Sequence, residues 1–403
     1  MKKAIAFLLL FLLCGCGART VPDGTPAPAP TEQAEPVPTP SVLETARVVP
    51  ISESGMEIRD LTDYMDPTAD IYLGFDEAWG ILYLDAANKV CSISLSGGAP
   101  EIRFSLADEL RAGRYLSLCF YCEDWLVWSE SEDEFWSDFT TGKNWSLHAA
   151  NLKTGEVVPV DAENEWFPAD RSFDARPLDV SCGDGLIAFY GYEADSAGVS
   201  RAIKVYDLAR HELKTVHRTP EGRSGGWDTA YSAPRIASRC VFFCKSYHDP
   251  SRYVTKYSQL FSYDAVSGET MELRNDLNLR CPAVSADYIV ARNNASPDET
   301  LYAFSLAAGE WFAIADRTSP IDIAVSKLRF PEVQIYDHYV TWRTGIDDAF
   351  YLYDLDENIF YELFGPEDGR EGGWFGTMNS RLLWWVDTDH GGQDARWSFV
   401  LLE

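Results

Sequence analysis

Tyr339-Val340-Thr341-Trp342, followed after a short interval by Tyr351-Leu352-Tyr353-Asp354-Leu355, is a clear copy of a two-part unit that recurs along this chain. The first part is a short apolar run just after a polar turn. It returns as Gly80-Ile81-Leu82-Tyr83, Trp125-Leu126-Val127-Trp128, Leu186-Ile187-Ala188-Phe189, Cys240-Val241-Phe242-Phe243, Tyr288-Ile289-Val290-Ala291 and Leu382-Leu383-Trp384-Trp385. The last residues of the seven copies fall at 83, 128, 189, 243, 291, 342 and 385, in steps of 45, 61, 54, 48, 51 and 43.

The second part alternates aromatic and aliphatic residues ahead of a tight turn, as in Val205-Tyr206-Asp207-Leu208, Phe261-Ser262-Tyr263-Asp264-Ala265 and Tyr302-Ala303-Phe304-Ser305-Leu306. Beyond the turn, Glu156-Val157-Val158-Pro159-Val160 and Trp311-Phe312-Ala313-Ile314 read as a further strand. A unit of about 50 residues with four strands is the pattern of a propeller blade. The expected fold class is therefore all-β, a β-propeller of seven four-stranded blades, with six or eight as the counts that irregular blades leave open. Blades pack face to face, so their central strands have no solvated face and read as continuous apolar runs. The last blade runs out at Glu403 after about three strands, which predicts that Gly55-Met56-Glu57-Ile58-Arg59-Asp60-Leu61 completes it and removes an open edge. The best helical candidate is Ser105 to Leu110.

The succession of Pro-x-Val, polar turn, apolar strand, Tyr-x-Tyr-Asp-Leu and Gly-Glu resembles the TolB-like (WD40-like) propellers of bacterial envelope proteins over roughly residues 67 to 403. That resemblance implies a propeller fold and a role in an envelope assembly. Neither a recurring WD dipeptide nor a kelch Gly-Gly signature narrows it.

The N-terminus reads as an address. Met1-Lys2-Lys3 and the apolar run Ala4 to Leu13 form a signal peptide, too short for a membrane span, which needs about 20 residues. Leu13-Cys14-Gly15-Cys16 resembles the bacterial lipobox, which implies cleavage after residue 15 and lipidation of Cys16; no A-x-A-like site supports an ordinary secretory signal instead. Residues 16–45 carry Pro22, Pro26, Pro28, Pro30, Pro36, Pro38 and Pro40 among polar residues, the composition of an extended disordered linker. The expected organisation is signal 1–15, lipidated linker 16–45 and propeller 46–403, exported and anchored to the cell membrane with the folded domain on the extracytoplasmic side.

Without Lys2 and Lys3 the chain carries 32 basic and 63 acidic residues, a net charge near −31. That sign opposes phosphate backbones and anionic head groups, which excludes nucleic acid as a partner and leaves the lipid as the contact with the membrane. Seven cysteines lie beyond Cys16, an odd number. Cys119-Phe120-Tyr121-Cys122 has redox spacing but sits in a strand-like run, where thiols act as small hydrophobes. The six histidines form no HExxH, and no cofactor is expected.

Three segments invite chemistry. Gly222-Arg223-Ser224-Gly225-Gly226 fits GxSxG, yet no helix follows to build a nucleophile elbow, so a glycine-rich loop is the reading. Asp387, Asp389 and Asp394 lie near glycines and form a calcium candidate, although Ser398 stands where an EF-hand needs Glu; a solvated turn is the alternative. Ser129 to Trp145 enlarges one blade and mixes carboxylates with aromatics, so Phe135, Trp136, Asp138 and Trp145 are the candidate ligand contacts, with packing of the loop as the competing reading. The expected function is a non-catalytic binding or scaffolding module that engages an envelope protein, peptide or glycan through a propeller face. The alternative is a carboxylate-dependent glycan hydrolase or lyase on the same scaffold.

Overall fold

A computed structural model of the chain describes residues 46–64, 70–134, 142–169, 174–177, 179–220, 223–224, 227–249, 254–275, 278–293, 300–315, 333–343, 350–364, 370–374, 381–389 and 396–402. Cys16 and the segments read as signal and linker lie outside the described residues.

The strands assemble into seven sheets in chain order, which settles the count at seven blades. Blade 1 comprises Ile71–Asp76, Gly80–Leu84, Lys89–Ile93 and Glu101–Ser105; blade 2 comprises Tyr115–Cys122, Trp125–Ser131, Ser146–Asn151 and Val157–Ala162. Blade 3 follows with Asp179–Gly183, Leu186–Asp195, Gly198–Asp207 and Glu212–Pro220, and blade 5 with Leu279–Val284, Tyr288–Asn293, Thr300–Ser305 and Glu310–Ala315. Between them, blade 4 is built on Arg235–Ala237, Cys240–Asp249, Val254–Asp264 and Thr270–Arg274, and Arg223–Ser224 with Trp227–Tyr231 extends its sheet. First strands of blades 1 and 2, 3 and 4, 4 and 5, and 5 and 6 touch one another, which places them around the common axis. The short helix Leu106–Glu109 falls where one was expected, in the connection from blade 1 to blade 2.

Closure uses the N-terminal segment twice. Blade 7, made of Arg370–Trp374, Leu382–Asp389 and Arg396–Leu401, gains Ile58–Asp60 as its fourth strand, antiparallel to the last. Blade 6, made of Gln334–Tyr336, Tyr339–Arg343, Phe350–Asp354 and Ile359–Phe364, gains Arg47–Pro50 as a parallel fifth strand that the sequence pattern does not announce.

All seven apolar runs are second strands, and the packing explains their composition. Among the described residues the core divides into seven clusters, one for each interface between neighbouring blades. Alternate side chains of one strand feed two clusters: Leu126 and Trp128 pack toward blade 1, Val127 toward blade 3. Leu382 and Trp384 likewise face blade 1 while Leu383 and Trp385 face blade 6. A strand between two apolar neighbours has no polar face to show.

The Tyr-Asp-Leu phrase has its own cause. Asp207, Asp264 and Asp354 end third strands, and each Oδ1 accepts two backbone N–H groups of the turn that follows. The next residue then donates its N–H to the turn between the first two strands of the same blade: Leu208 to Gly185, Ala265 to Arg239 and Leu355 to His338. Leu152, Leu306 and Leu402 repeat that bond. An aspartate that caps its own turn followed by a residue that locks a second turn is a local device, which is why it recurs legibly.

Candidate functional site

The two faces of the ring differ. On one, first and second strands join through tight turns such as Glu123-Asp124, Asp184-Gly185 and Ser238-Arg239, whose residues take positive φ. On the other lie the connections between second and third strands and those between blades, among them the two long ones around blade 2, residues 132–145 and 163–178. Long connections on a rigid frame are where a ligand meets side chains.

Those two connections are tied together at their bases. Glu132 N donates to Lys143 O (3.0 Å), and Lys143 N donates to Asp133 Oδ2 (3.0 Å). The Arg176 guanidinium, 1% exposed, donates to Ser117 Oγ and Ser131 Oγ (both 3.2 Å) and to Asp133 O (3.3 Å), and pairs with Asp174. Its burial is tolerated because each nitrogen of the planar fork meets an acceptor. Gly142, at φ +59°, passes so close to Asp174 and Arg176 that a Cβ there would overlap them.

From this base the chain displays an aromatic. Glu163 N donates to Trp145 O (3.0 Å), Asn164 Nδ2 reaches Ala194 O of blade 3 (3.1 Å), and Asn164 Oδ1 accepts from Trp166 N (3.1 Å). Phe167 is buried in the core between blades 2 and 3, whereas the preceding Trp166 is 54% exposed. Tyr115, 48% exposed at the start of the first strand of blade 2, and Glu132, Glu134 and Glu165 are exposed on the same face. Arg114 pairs with Glu132 (3.7 Å) and donates to Asn144 O. At the start of the first strand of blade 3, the carboxyl of exposed Asp179 is pushed up by desolvation against the pull of Arg235.

The residues singled out from sequence fare unequally. Trp145 is 2% exposed and packs with Val127, Leu147 and Phe167, so it is a core residue and not a displayed contact: its position just ahead of the third strand turns the ring into the interface with blade 3. Phe135, Trp136 and Asp138 lie outside the described residues. Asp387 and Asp389 sit two apart on the second strand of blade 7, Asp394 lies outside the described residues, and among the described residues no metal-holding group of three is present. Ser224 belongs to a hairpin in which it pairs with Trp227, so no strand-to-helix elbow presents it. Cys119 and Cys122, an odd number of residues apart in one regular strand, face opposite sides. Trp166, absent from the residues singled out by sequence, sits in Asn164-Glu165-Trp166-Phe167, an aromatic pair inside a polar turn that marks a loop but not which ring faces solvent.

A second polar cluster, between blades 1 and 2, has the residue types of a hydrolytic triad without its geometry. His148 Nε2 lies 2.8 Å from Ser146 Oγ and 3.9 Å from Glu130 Oε1, so serine and carboxylate address the same imidazole nitrogen. A triad needs the acid on the other nitrogen. Arg111 bonds to both Glu130 and Ser146, and Ser146 is buried. Burial holds His148 below its ordinary value, and its ring stacks on Trp128. The cluster ties blade 2 to the connection that enters it from blade 1.

No family model matches the sequence, and no curated protein matches it. Among solved structures the chain is similar to TolB from Acinetobacter baumannii, at 12% identity and a TM-score of 0.38 over 83% of this chain and 64% of that one. It is similar also to the β-propeller domain of the trilobed protease from Pyrococcus furiosus, at 9% identity and a TM-score of 0.47, over 81% of this chain and 89% of that one. A third is an acylaminoacyl peptidase from Pyrococcus horikoshii, at 11% identity and a TM-score of 0.48 over 80% of this chain; the chain spans only 49% of that enzyme's length. The seven-bladed propeller itself stands on the strand order described above.

Proposed function

We propose that this chain is a membrane-anchored, non-catalytic binding lipoprotein of the cell envelope, which engages a protein, peptide or glycan ligand through the loop face over blades 2 and 3. The observation that carries the reading is Trp166, a large aromatic held out into solvent while its neighbour Phe167 is pinned in the core. An exposed indole beside exposed carboxylates offers a flat apolar surface and acceptors together, a combination that suits sugar rings or lysine and arginine side chains. The chain's formal net charge of −29 adds attraction for basic partners.

A peptide and glycan array probed with the wild type and two variants tests this. Trp166→Ala should abolish most binding and leave the melting temperature nearly unchanged. Trp145→Ala should cost about 3 kcal/mol of stability, the packing cost of a buried ring, and should affect binding only through that loss. Equal binding by wild type and Trp166→Ala would sink the proposed face.

The anchor has its own check. Metabolic labelling with a fatty acid should mark the wild type, and Cys16→Ser should lose both the label and the membrane fraction. Label retained by the variant would remove Cys16 from the proposal.

The alternative, a carboxylate-dependent glycan hydrolase or lyase, has Asp179 on its side, since a carboxyl raised above its ordinary value suits a general acid. Turnover of any acidic or neutral glycan that vanishes in Asp179→Asn would favour it over binding alone.

A further inference from the structure

We propose that Cys122 and Cys182 are a disulfide-forming pair that clasps blade 2 to blade 3 beside the tight-turn face of the channel. The two residues lie 60 positions apart, near the ends of neighbouring first strands, Tyr115–Cys122 and Asp179–Gly183. Their side chains cross. Cys122 Sγ donates to Cys182 O at 3.0 Å, Cys182 Sγ lies 4.0 Å from Cys122 O, and the two thiols share a hydrogen bond. Each sulfur thus lies against the other residue's backbone, so the two side chains meet across the gap between the blades.

The surrounding backbone is already held in register. Both carboxylate oxygens of Glu123, the next residue, accept the N–H groups of Asp184 and Gly185 at 2.9 and 3.2 Å. A bond between the sulfurs therefore demands rotation of two side chains and little movement of the blades. Both cysteines are only part-buried, whereas Cys91, Cys240 and Cys244 are enclosed in cores between blades. Burial pushes the Cys240 thiol up to about 12.

The exchange balances with a small disulfide as oxidant. Cys122 loses a proton and attacks one sulfur of the oxidant, which leaves as a mixed disulfide on Cys122 and one free thiol. Cys182, held protonated by its hydrogen bond to Cys122 and by burial until that bond is gone, then loses its proton and attacks Sγ of Cys122. The second oxidant thiol departs. Two electrons pass from the protein sulfurs to the oxidant, and two thiols leave. An exported chain meets such oxidants, although the pairing rests on geometry and stands apart from the binding proposal.

The test treats the reduced full chain with oxidised glutathione, blocks remaining thiols, and digests it without reductant. A linked peptide joining Cys122 to Cys182, a mass lower by two hydrogens, and a melting temperature raised by several degrees are expected. Cys122→Ser and Cys182→Ser should each lose the linked peptide and the rise on oxidation. A stable glutathione adduct on Cys122 with Cys182 still free, a link through a different cysteine, or no reaction in the folded chain would overturn the proposal. Peptide mapping of the wild type decides even if a variant does not fold.

Discussion

A chain shortened to residues 65–403 is expected to lose its cooperative melt and to aggregate. The segment 46–64 touches three blades, and two of its side chains enter cores. Leu61 is buried with Tyr72 and Ile81 of blade 1 and with Trp384, Trp397 and Phe399 of blade 7; Ile51 is buried with Leu352 of blade 6 and with Leu383 and Trp385 of blade 7. Polar bonds run alongside: Leu61 N to Trp397 O at 3.0 Å, Trp397 N to Thr62 Oγ1 at 2.9 Å, and Arg59 Nη1 to Leu95 O of blade 1 at 2.9 Å. Removing each buried aliphatic costs about 2–5 kcal/mol, against a whole-fold margin of about 5–15 kcal/mol. Losing both, together with the pairing of Ile58–Asp60, exhausts most of that margin and leaves the strand Arg396–Leu401 as a bare edge open to other chains. Leu61→Ala alone should retain a cooperative melt at lower temperature. Circular dichroism melts and gel filtration separate these results, and a shortened chain that melts like the intact one would show that the ring holds without its closing strand.

The closing strand is legible in the amino-acid sequence because of a mismatch: the last repeat ends a strand short while Gly55 to Leu61 has no blade of its own. Second and third strands are legible because each lies between two apolar neighbours and carries the same pattern seven times. First strands are not. They line the axis, where Ser117, Ser181 and Asp179 stand among apolar residues, and no single period describes them. The parallel strand Arg47–Pro50 is invisible in the pattern for a different reason: it is an edge addition, mostly exposed, held by backbone bonds that any sequence can make. The hairpin Arg223–Ser224 with Trp227–Tyr231 extends blade 4 beyond its first strand, pairing Asp228 with His248 and Tyr231 with Lys245, and glycines around it read as loop.

The site divides in the same way. Composition marks the connection after Ser129 as unusual, but composition cannot tell an aromatic that faces a ligand from one that faces the next blade. Trp145 shows the ambiguity, since the strand that begins one residue later sets the direction of its side chain. Trp166 escapes a reading of sequence because its exposure depends on contacts far off along the chain: Asn164 on Ala194, and Phe167 among Ile187 and Phe189. The importance of Arg176 is likewise hidden, because its partners Ser117 and Ser131 belong to the preceding blade.

Arg176→Met is expected to destabilise the protein by about 3–5 kcal/mol, the cost of breaking a buried ion pair by removing one partner. Methionine fills much of the volume, so packing loss is minor and the electrostatic consequence dominates. The Asp174 carboxylate, little exposed, loses its partner, and the Asp133 carbonyl, Ser117 and Ser131 each lose a donor. Arg176→Lys should recover only part of the loss: one ammonium supplies charge to Asp174 but cannot address both serines and the carbonyl in a plane. Asp174→Asn combined with Arg176→Met should be less damaging than the two single changes added together, because the amide removes the orphaned charge. Denaturant midpoints at constant slope measure all three. Should Arg176→Met unfold at the wild-type midpoint, the guanidinium would be a passenger in the interface, and the two long connections over blades 2 and 3 would be held by other ties, among them the Asn164 bond to Ala194 and the burial of Trp145 and Phe167.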